Sequence, residues 1–224
     1  MIKAILLDID DTLLDFDRNA QLSLEYGCKE LGIPYRESFC SDFHRVNDFL
    51  WEQVEKGTLS RDHLYEIRFE LVFKEWKVVS DPHAFESFFR KGLCTFCAPM
   101  EGAYDLLEHL RGKYTLCIAS NSAYQQQVTR LTEAKMIDYF SHLFISEQIG
   151  FSKPSKEFFD VCLKALTPIK PEEMIMIGDS PSADIRGAKK VGIQTCWFAH
   201  GKRAALSCEA DYRVSSLREI IGIL

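Results

Sequence analysis

A chain of 224 residues that is 46% hydrophobic and 27% charged, with 12 Gly and 7 Pro, can bury a core and lies far from collagen-like or disordered compositions. Its 27 Lys plus Arg against 33 Asp plus Glu leave a formal charge of −6, which disfavours nucleic acid and anionic membranes as partners. At a typical domain size of about 150 residues, this length predicts one domain with a large insert or two small ones. The first element is the apolar run Lys3 to Leu7, stopped by Asp8, Asp10 and Asp11. An apolar run without alternation predicts a strand buried on both faces. From Arg18 to about Phe96 the period becomes helical. Ala20, Leu24, Cys28 and Leu31 share one face before Gly32, and Phe39, Phe43, Val46, Leu50 and Val54 share another before Gly57. A third helix follows Ser60 with Leu64, Ile67 and Leu71 inward, and a fourth follows the Asp81-Pro82 cap with Phe85, Phe88 and Phe89.

After Pro99 helices and strands alternate, the signature of a parallel sheet. Helices are expected around Gly102 to Arg111, Ala123 to Ala134, Lys156 to Leu166 and Ser182 to Val191. Strands are expected at Thr115 to Ala119, His142 to Ser146, Glu173 to Ile177, Gln194 to Phe198 and near Tyr212 to Val214. The predicted architecture is an α/β core of residues 1–15 and 98–224, interrupted by a helical bundle at 16–97, with hinges near Asp15 to Asp17 and Cys94 to Met100. Nothing approaches about 18 uninterrupted apolar residues, and Met1 to Leu7 is short for a secretory signal. A soluble, cytoplasmic protein is the expectation. The eight cysteines are scattered and read as reduced, mostly buried thiols. Cys94 and Cys97 have CxxC spacing without a second half-site for zinc, and read as a packing pair near the hinge.

Four short signatures fall at the ends of four predicted strands, where open parallel sheets place their ligands. In Asp8-Ile9-Asp10-Asp11-Thr12, carboxylates spaced by two on an extended segment point the same way, and a flanking carbonyl can help to hold a metal. Solvated strand-end caps are the ordinary alternative. Ser120-Asn121, read as opening a helix, offers a hydroxyl and free N–H groups to a phosphate, or an ordinary N-cap. Lys153-Pro154 supplies a cation that would otherwise be a surface lysine. Gly178-Asp179 with Asp184 five residues on adds two carboxylates at the sheet edge. Carboxylates gathered in one crevice repel unless a divalent cation and a lysine are present, so the clustering predicts Mg²⁺.

The ordered set DxDxT, Ser-Asn, Lys-Pro and GDxxxxD, each after its own strand, resembles the haloacid dehalogenase superfamily along the whole chain. The resemblance implies a Rossmann-like core with an inserted helical cap and a phosphatase acting through an aspartyl-phosphate. It implies that Asp8 is the nucleophile, Asp10 the general acid/base, Ser120 the phosphate-binding hydroxyl and Lys153 the charge-balancing lysine. Asp179 is then the metal ligand beside Asp8 and the Asp10 carbonyl, with Asp184 supporting the metal shell. Thr12 and Asn121 are carried as phosphate-side contacts. Crowding is expected to raise Asp10 from about 3.9 for acid work at neutral pH. Dehalogenases of this fold lack the second Asp of the first motif, so Asp10 argues for phosphoryl transfer.

The run Thr12 to Asp17, Val46-Asn47, Leu50-Trp51, Arg68-Phe69-Glu70 and Thr195-Cys196-Trp197 resembles the bacterial house-cleaning pyrimidine 5′-nucleotidases. That implies a nucleoside monophosphate as substrate, with Phe16 and Trp51 available to stack on a base and Asn47 to read its edge. Core packing is the competing reading for Trp51, and a surface amide for Asn47. The alternatives are a sugar-phosphate phosphatase or phosphomutase of the same fold, and a non-enzymatic binding protein. A monomer and a homodimer are both compatible with the sequence.

Overall fold

In the computed structural model residues 1–201 and 207–224 are described. The chain divides into two units, Met1–Asp15 with Pro99–Leu224, and Phe16–Ala98.

In the first unit, β1 (Ala4–Leu7) is buried along its whole length and pairs in parallel with β2 (Thr115–Ser120) on one edge and β4 (Met174–Gly178) on the other. A strand covered on both faces has no solvent side, which is why Ala-Ile-Leu-Leu does not alternate. β3 (His142–Ile145) pairs with β2, β5 (Gln194–Phe198) with β4, and β6 (Tyr212–Val214) with β5, giving a parallel sheet of order β3-β2-β1-β4-β5-β6. The strand order reverses between β1 and β4, and ligands of such sheets bind at the carboxyl ends of the strands at that point. The register sets Leu7 opposite both Ile118 and Ile177, so Asp8, Ala119 and Gly178 emerge at one level.

The helices of this unit are α5 (Ala103–Leu110), α6 (Tyr124–Glu133), α7 (Ser146–Ile149), α8 (Lys156–Ala165), α9 (Gly187–Lys189) and α10 (Leu217–Ile220). The helix expected over Ser182 to Val191 is instead a widened turn, Pro181–Arg186, running into α9. Ser180 causes the difference. Its hydroxyl caps the Ala183 N–H, while its carbonyl accepts from both Asp184 and Ile185, at 3.1 and 3.3 Å. The bond to Ile185 spans five residues, the spacing of a π-turn, a feature frequent at functional sites.

The second unit is the expected helical bundle: α1 (Phe16–Glu30), α2 (Ser38–Glu55), α3 (Arg61–Trp76) and α4 (Pro82–Thr95). Ser60 caps α3 through the His63 N–H, and Asp81 caps α4 through His83 and Ala84. Gly92 lets α4 lie directly on α1, since a methyl group there would come within 2.8 Å of the Ser23 Cα. The inward face of α3 differs from the expectation. Leu64, Arg68, Phe69, Val72, Phe73 and Trp76 are buried, whereas Ile67 and Leu71 are half-buried. The aliphatic pattern omitted Arg68, around which that face is built. Its Nε and Nη2 donate to the two Glu86 carboxylate oxygens at 3.1 and 2.6 Å, its Nη1 donates to Asn47 Oδ1 at 3.0 Å, and its guanidinium lies over the Phe43, Phe69 and Phe89 rings.

Each crossing is stitched on its own side. In the first unit Leu14 bridges Pro99 and the Met100 N–H donates to the Leu13 carbonyl. In the second the Asn19 carboxamide accepts from the Ala98 N–H at 2.9 Å and donates to its carbonyl at 3.4 Å. No disulfide joins the eight cysteines, and Cys97 Sγ donates to the Leu93 and Cys94 carbonyls at the end of α4. Among the described residues no helix is long and apolar enough to cross a membrane.

Candidate active site

Lys153 lies at the centre of the cluster formed at the β1–β4 edge. Its ammonium, 1% exposed, donates to Asp8 Oδ1 at 2.7 Å, Asp184 Oδ1 at 2.6 Å and the Ala119 carbonyl at 2.6 Å, which uses all its donors. Asn121 holds the lysine's backbone, with Nδ2 on the Lys153 carbonyl and Oδ1 accepting its N–H, both at 2.8 Å. The carboxamide expected on the phosphate side is therefore spent on placing Lys153. Asp184 gives its other oxygen to the Ser180 N–H at 3.0 Å, and the absence of a side chain at Gly178 makes room for it, because a methyl group there would collide with that carboxylate. Trp197, buried in β5, donates its indole N–H to the Asp179 carbonyl at 2.9 Å.

Asp8, Asp179 and Asp184 are all buried, and each offers a carboxylate oxygen within 4.8 Å of the others. Among the described residues, Lys153 is shared by Asp8 and Asp184, with the Asp179 carboxylate beside them. Burial raises Asp8 from 3.8 to about 7, against the lowering pull of Lys153 and with the help of Asp184. Burial alone would lower Lys153, but Asp184 and Asp8 outweigh it and hold the ammonium charged. Clustered carboxylate oxygens are the donor chemistry of a hard divalent cation, so the residues present fit Mg²⁺.

Asp10 is close enough to Asp8 to help to raise it, while its side chain meets other partners. The chain leaves the strand after Leu7 and turns, with the Thr12, Leu13 and Leu14 N–H groups all on the Ile9 carbonyl and Asp11 at φ 56°. The Asp10 side chain is consequently outside the three-carboxylate group. It faces α6, where Arg130 Nη1 approaches Oδ1 at 2.7 Å and Gln127 Nε2 donates to Oδ2 at 3.0 Å. Gln127 Nε2 also donates to Ser120 Oγ at 3.0 Å. Thr12 is fully buried. Ser120 ends β2 rather than opening a helix; α6 starts at Tyr124, whose N–H is already taken by Glu147 Oε2 at 2.8 Å. The N-terminal phosphate seat expected directly after Ser120 is thus four residues further on and carries its own carboxylate. His200 Nε2 contacts the Asp11 carbonyl at 2.7 Å, bracing the turn from the far side.

Residues 2–192 match the family model described as haloacid dehalogenase-like hydrolase. The chain belongs to that family. It is 30% identical to the pyrimidine 5′-nucleotidase PynA of Streptococcus pneumoniae, over 99% of this chain and 94% of the relative. The pyrimidine 5′-nucleotidase YjjG of Escherichia coli is also 30% identical, over 98% and 96%. A glyceraldehyde 3-phosphate phosphatase of Pyrococcus furiosus is 29% identical, over 100% and 93%. The crystal structure of the HAD-hydrolase YfnB from Bacillus subtilis, bound to magnesium, superposes with a TM-score of 0.93 at 30% identity, covering 100% of this chain and 98% of that one. The family resemblance drawn from the four motifs is borne out, together with the Rossmann-like parallel sheet and the helical insert of this hydrolase.

The three candidates of the helical unit have different surroundings, although Asn47 and Trp51 lie one turn apart on α2. Asn47 is buried with its Oδ1 on Arg68, inside the bundle core. Trp51 is half-buried with its ring edge-on to Tyr65 at 6.4 Å, and Phe16, the first residue of α1, packs near Phe43 at 6.5 Å and His44 at 6.2 Å. Sequence reasoning missed Gln127, Arg130 and His200, and noted Trp197 only within the resemblance. A signal for the first two was present: on α6, positions 127, 130 and 131 form one buried stripe, and two of its three residues are polar. Polar residues on a buried face need partners, and these find them on Asp10 and Ser120.

Proposed function

We propose that this hydrolase is a magnesium-dependent phosphomonoesterase that works through an aspartyl-phosphate on Asp8, with pyrimidine nucleoside 5′-monophosphates as its substrates. The observation that carries the reading is the buried cluster in which Lys153 bridges Asp8 and Asp184 beside Asp179. Asp8, Asp179 and the Asp10 carbonyl would hold the cation and Asp184 would support them; when bound, Mg²⁺ neutralises the phosphoryl oxygens that would otherwise repel a carboxylate. Asp8 attacks phosphorus, the bond to the ester oxygen breaks, and the departing oxygen takes a proton from Asp10. Water then attacks the acyl phosphate and gives its proton to Asp10, and the bond to Asp8 breaks to release inorganic phosphate. Lys153 and the Ser120 hydroxyl stabilise charge on the transferring group.

The pyrimidine assignment rests on the likeness to PynA and YjjG. Phe16 and Trp51 are the aromatic candidates for contact with a base; Asn47 is not carried forward, because its carbonyl is engaged by Arg68. The likeness to a glyceraldehyde 3-phosphate phosphatase favours a small sugar phosphate as the second reading. The test is phosphate release from p-nitrophenyl phosphate with Mg²⁺ and with EDTA, followed by a panel of nucleoside monophosphates and sugar phosphates. Turnover that is Mg²⁺-dependent and highest in kcat/KM for UMP or dUMP supports the reading. A sugar phosphate ahead of every pyrimidine nucleotide removes the nucleotidase assignment, and turnover indifferent to EDTA removes the metal.

A further inference from the structure

We infer that Gln127 and Arg130, three residues apart on α6, are a positioning pair that sets Asp10 and Ser120 in one frame for catalysis. The inference rests on the proposed function and adds to it the residues that orient the acid/base and the phosphate-binding hydroxyl. Both side chains are fully buried, on a helix whose buried face has little apolar material to justify them. Burying a guanidinium and a carboxamide costs free energy unless each is partnered, so the contacts they make identify what they are for.

The network permits one arrangement of the Gln127 carboxamide. Arg130 can only donate, and its Nη1 lies 3.0 Å from Gln127 Oε1, so the carbonyl end must face the arginine. The amino end then faces Asp10 Oδ2 and Ser120 Oγ, at 3.0 Å each, and its two hydrogens serve the two acceptors. Because Ser120 Oγ accepts from Gln127, its own hydrogen is left to point toward another acceptor, which in the proposed reaction is a phosphoryl oxygen. Arg130 Nη1 also lies 2.7 Å from Asp10 Oδ1, out of line for a hydrogen bond, so this contact is charge against charge while Gln127 supplies the direction. Two groups that β1 and β2 carry separately are thus fixed relative to each other by one side chain, and that side chain is fixed by its neighbour one turn along.

Removing the pair misplaces Asp10, and the cost then depends on whether the departing oxygen needs a proton. A nitrophenolate leaves without one, whereas a nucleoside or sugar alkoxide does not. The experiment compares kcat/KM for p-nitrophenyl phosphate with kcat/KM for an alkyl ester that the wild type turns over, UMP or glycerol phosphate, in Gln127→Met, Arg130→Met and Arg130→Lys. In Gln127→Met the alkyl ester is expected to lose about 10²-fold or more, the scale of general acid catalysis, and the aryl ester less than about tenfold. Arg130→Met follows the same pattern, and Arg130→Lys recovers part of the alkyl activity by keeping the charge. Gln127→Met carries the test if Arg130→Met does not fold, with wild-type circular dichroism and Mg²⁺ affinity as the controls on that variant. Equal losses on both esters, or no loss on either, overturn the positioning pair while leaving the phosphatase reading in place. A wild type inert toward both esters in Mg²⁺ overturns that reading, and this inference with it.

Discussion

The molecule buries charge in two places, and the two are built differently. In the helical unit Arg68 and Glu86 pair fork to fork, Asn47 takes a further guanidinium N–H, and aromatic rings cover the rest. One positive charge meets one negative, and nothing further is required. At the sheet edge Lys153 is shared by Asp8 and Asp184, with Asp179 beside them. Three carboxylates offer oxygens to one point there, and burial raises Asp8 to about 7. Burial of charge does not separate structure from function here; the convergence of carboxylates does.

Removing the proposed nucleophile breaks this comparison most sharply. Asp8→Asn should lower kcat by about 10⁴-fold or more, as loss of a nucleophile does elsewhere, while the metal-free protein gains stability at pH 8 because a carboxylate whose ionised form burial disfavours is removed. A steady-state assay with a thermal melt checks both, and retained turnover would refute the assignment. Lys153→Met should destabilise the fold by about 3–5 kcal/mol, since two buried carboxylates lose their partner, and should also abolish turnover. In the helical unit Arg68→Met alone should cost a similar amount of about 3–5 kcal/mol, whereas Arg68→Met with Glu86→Leu should return most of it. Neither should alter Mg²⁺ affinity, which denaturant melts and a Mg²⁺ titration would read. Recovery of stability in the double variant is what marks Arg68 and Glu86 as a self-contained pair. Gly178→Ala should weaken Mg²⁺ binding by displacing Asp184.

A smaller effect sharpens the same contrast through pH. The folded Asp8, at about 7, holds its proton well above the ordinary carboxylate value of 3.8. A carboxyl raised on folding contributes stability below its unfolded value and loses it as pH climbs through the folded one. The metal-free protein should therefore lose stability between pH 4 and about 7 through this group. Mg²⁺ must displace that proton, so its affinity should increase over the same interval and level off above about 7, which calorimetry in buffers of different ionisation enthalpy would show.

How much could be read beforehand follows from the range of the signals. The β1 run and its acidic stop were legible because burial on both faces is a local property, and the caps at Ser60 and Asp81 because they act within one turn. The inward face of α3 was misread because an aliphatic pattern cannot show that Arg68 is neutralised by Glu86 eighteen residues away. Asp10 was legible as a neighbour of Asp8, but its contacts with Gln127 and Arg130, which follow the turn at Ile9, were not. Gln127 and Arg130 escaped notice because their partner Asp10 is more than a hundred residues distant, and only the sheet order brings β1 and β2 together. The four motifs were legible as residues at strand ends, but not the division of labour by which Asn121 serves Lys153 and Glu147 occupies the start of α6.

The proposed cation site lies in the sheet-edge cluster and not in the Arg68–Glu86 network. Its most direct test is a calorimetric titration of Mg²⁺ into EDTA-stripped protein, wild type beside Asp179→Asn and beside Arg68→Met with Glu86→Leu. One binding site with proton release below pH 7, lost in Asp179→Asn and kept in the double variant, is the predicted result. Absence of binding in the wild type, or equal binding in Asp179→Asn, would contradict the account.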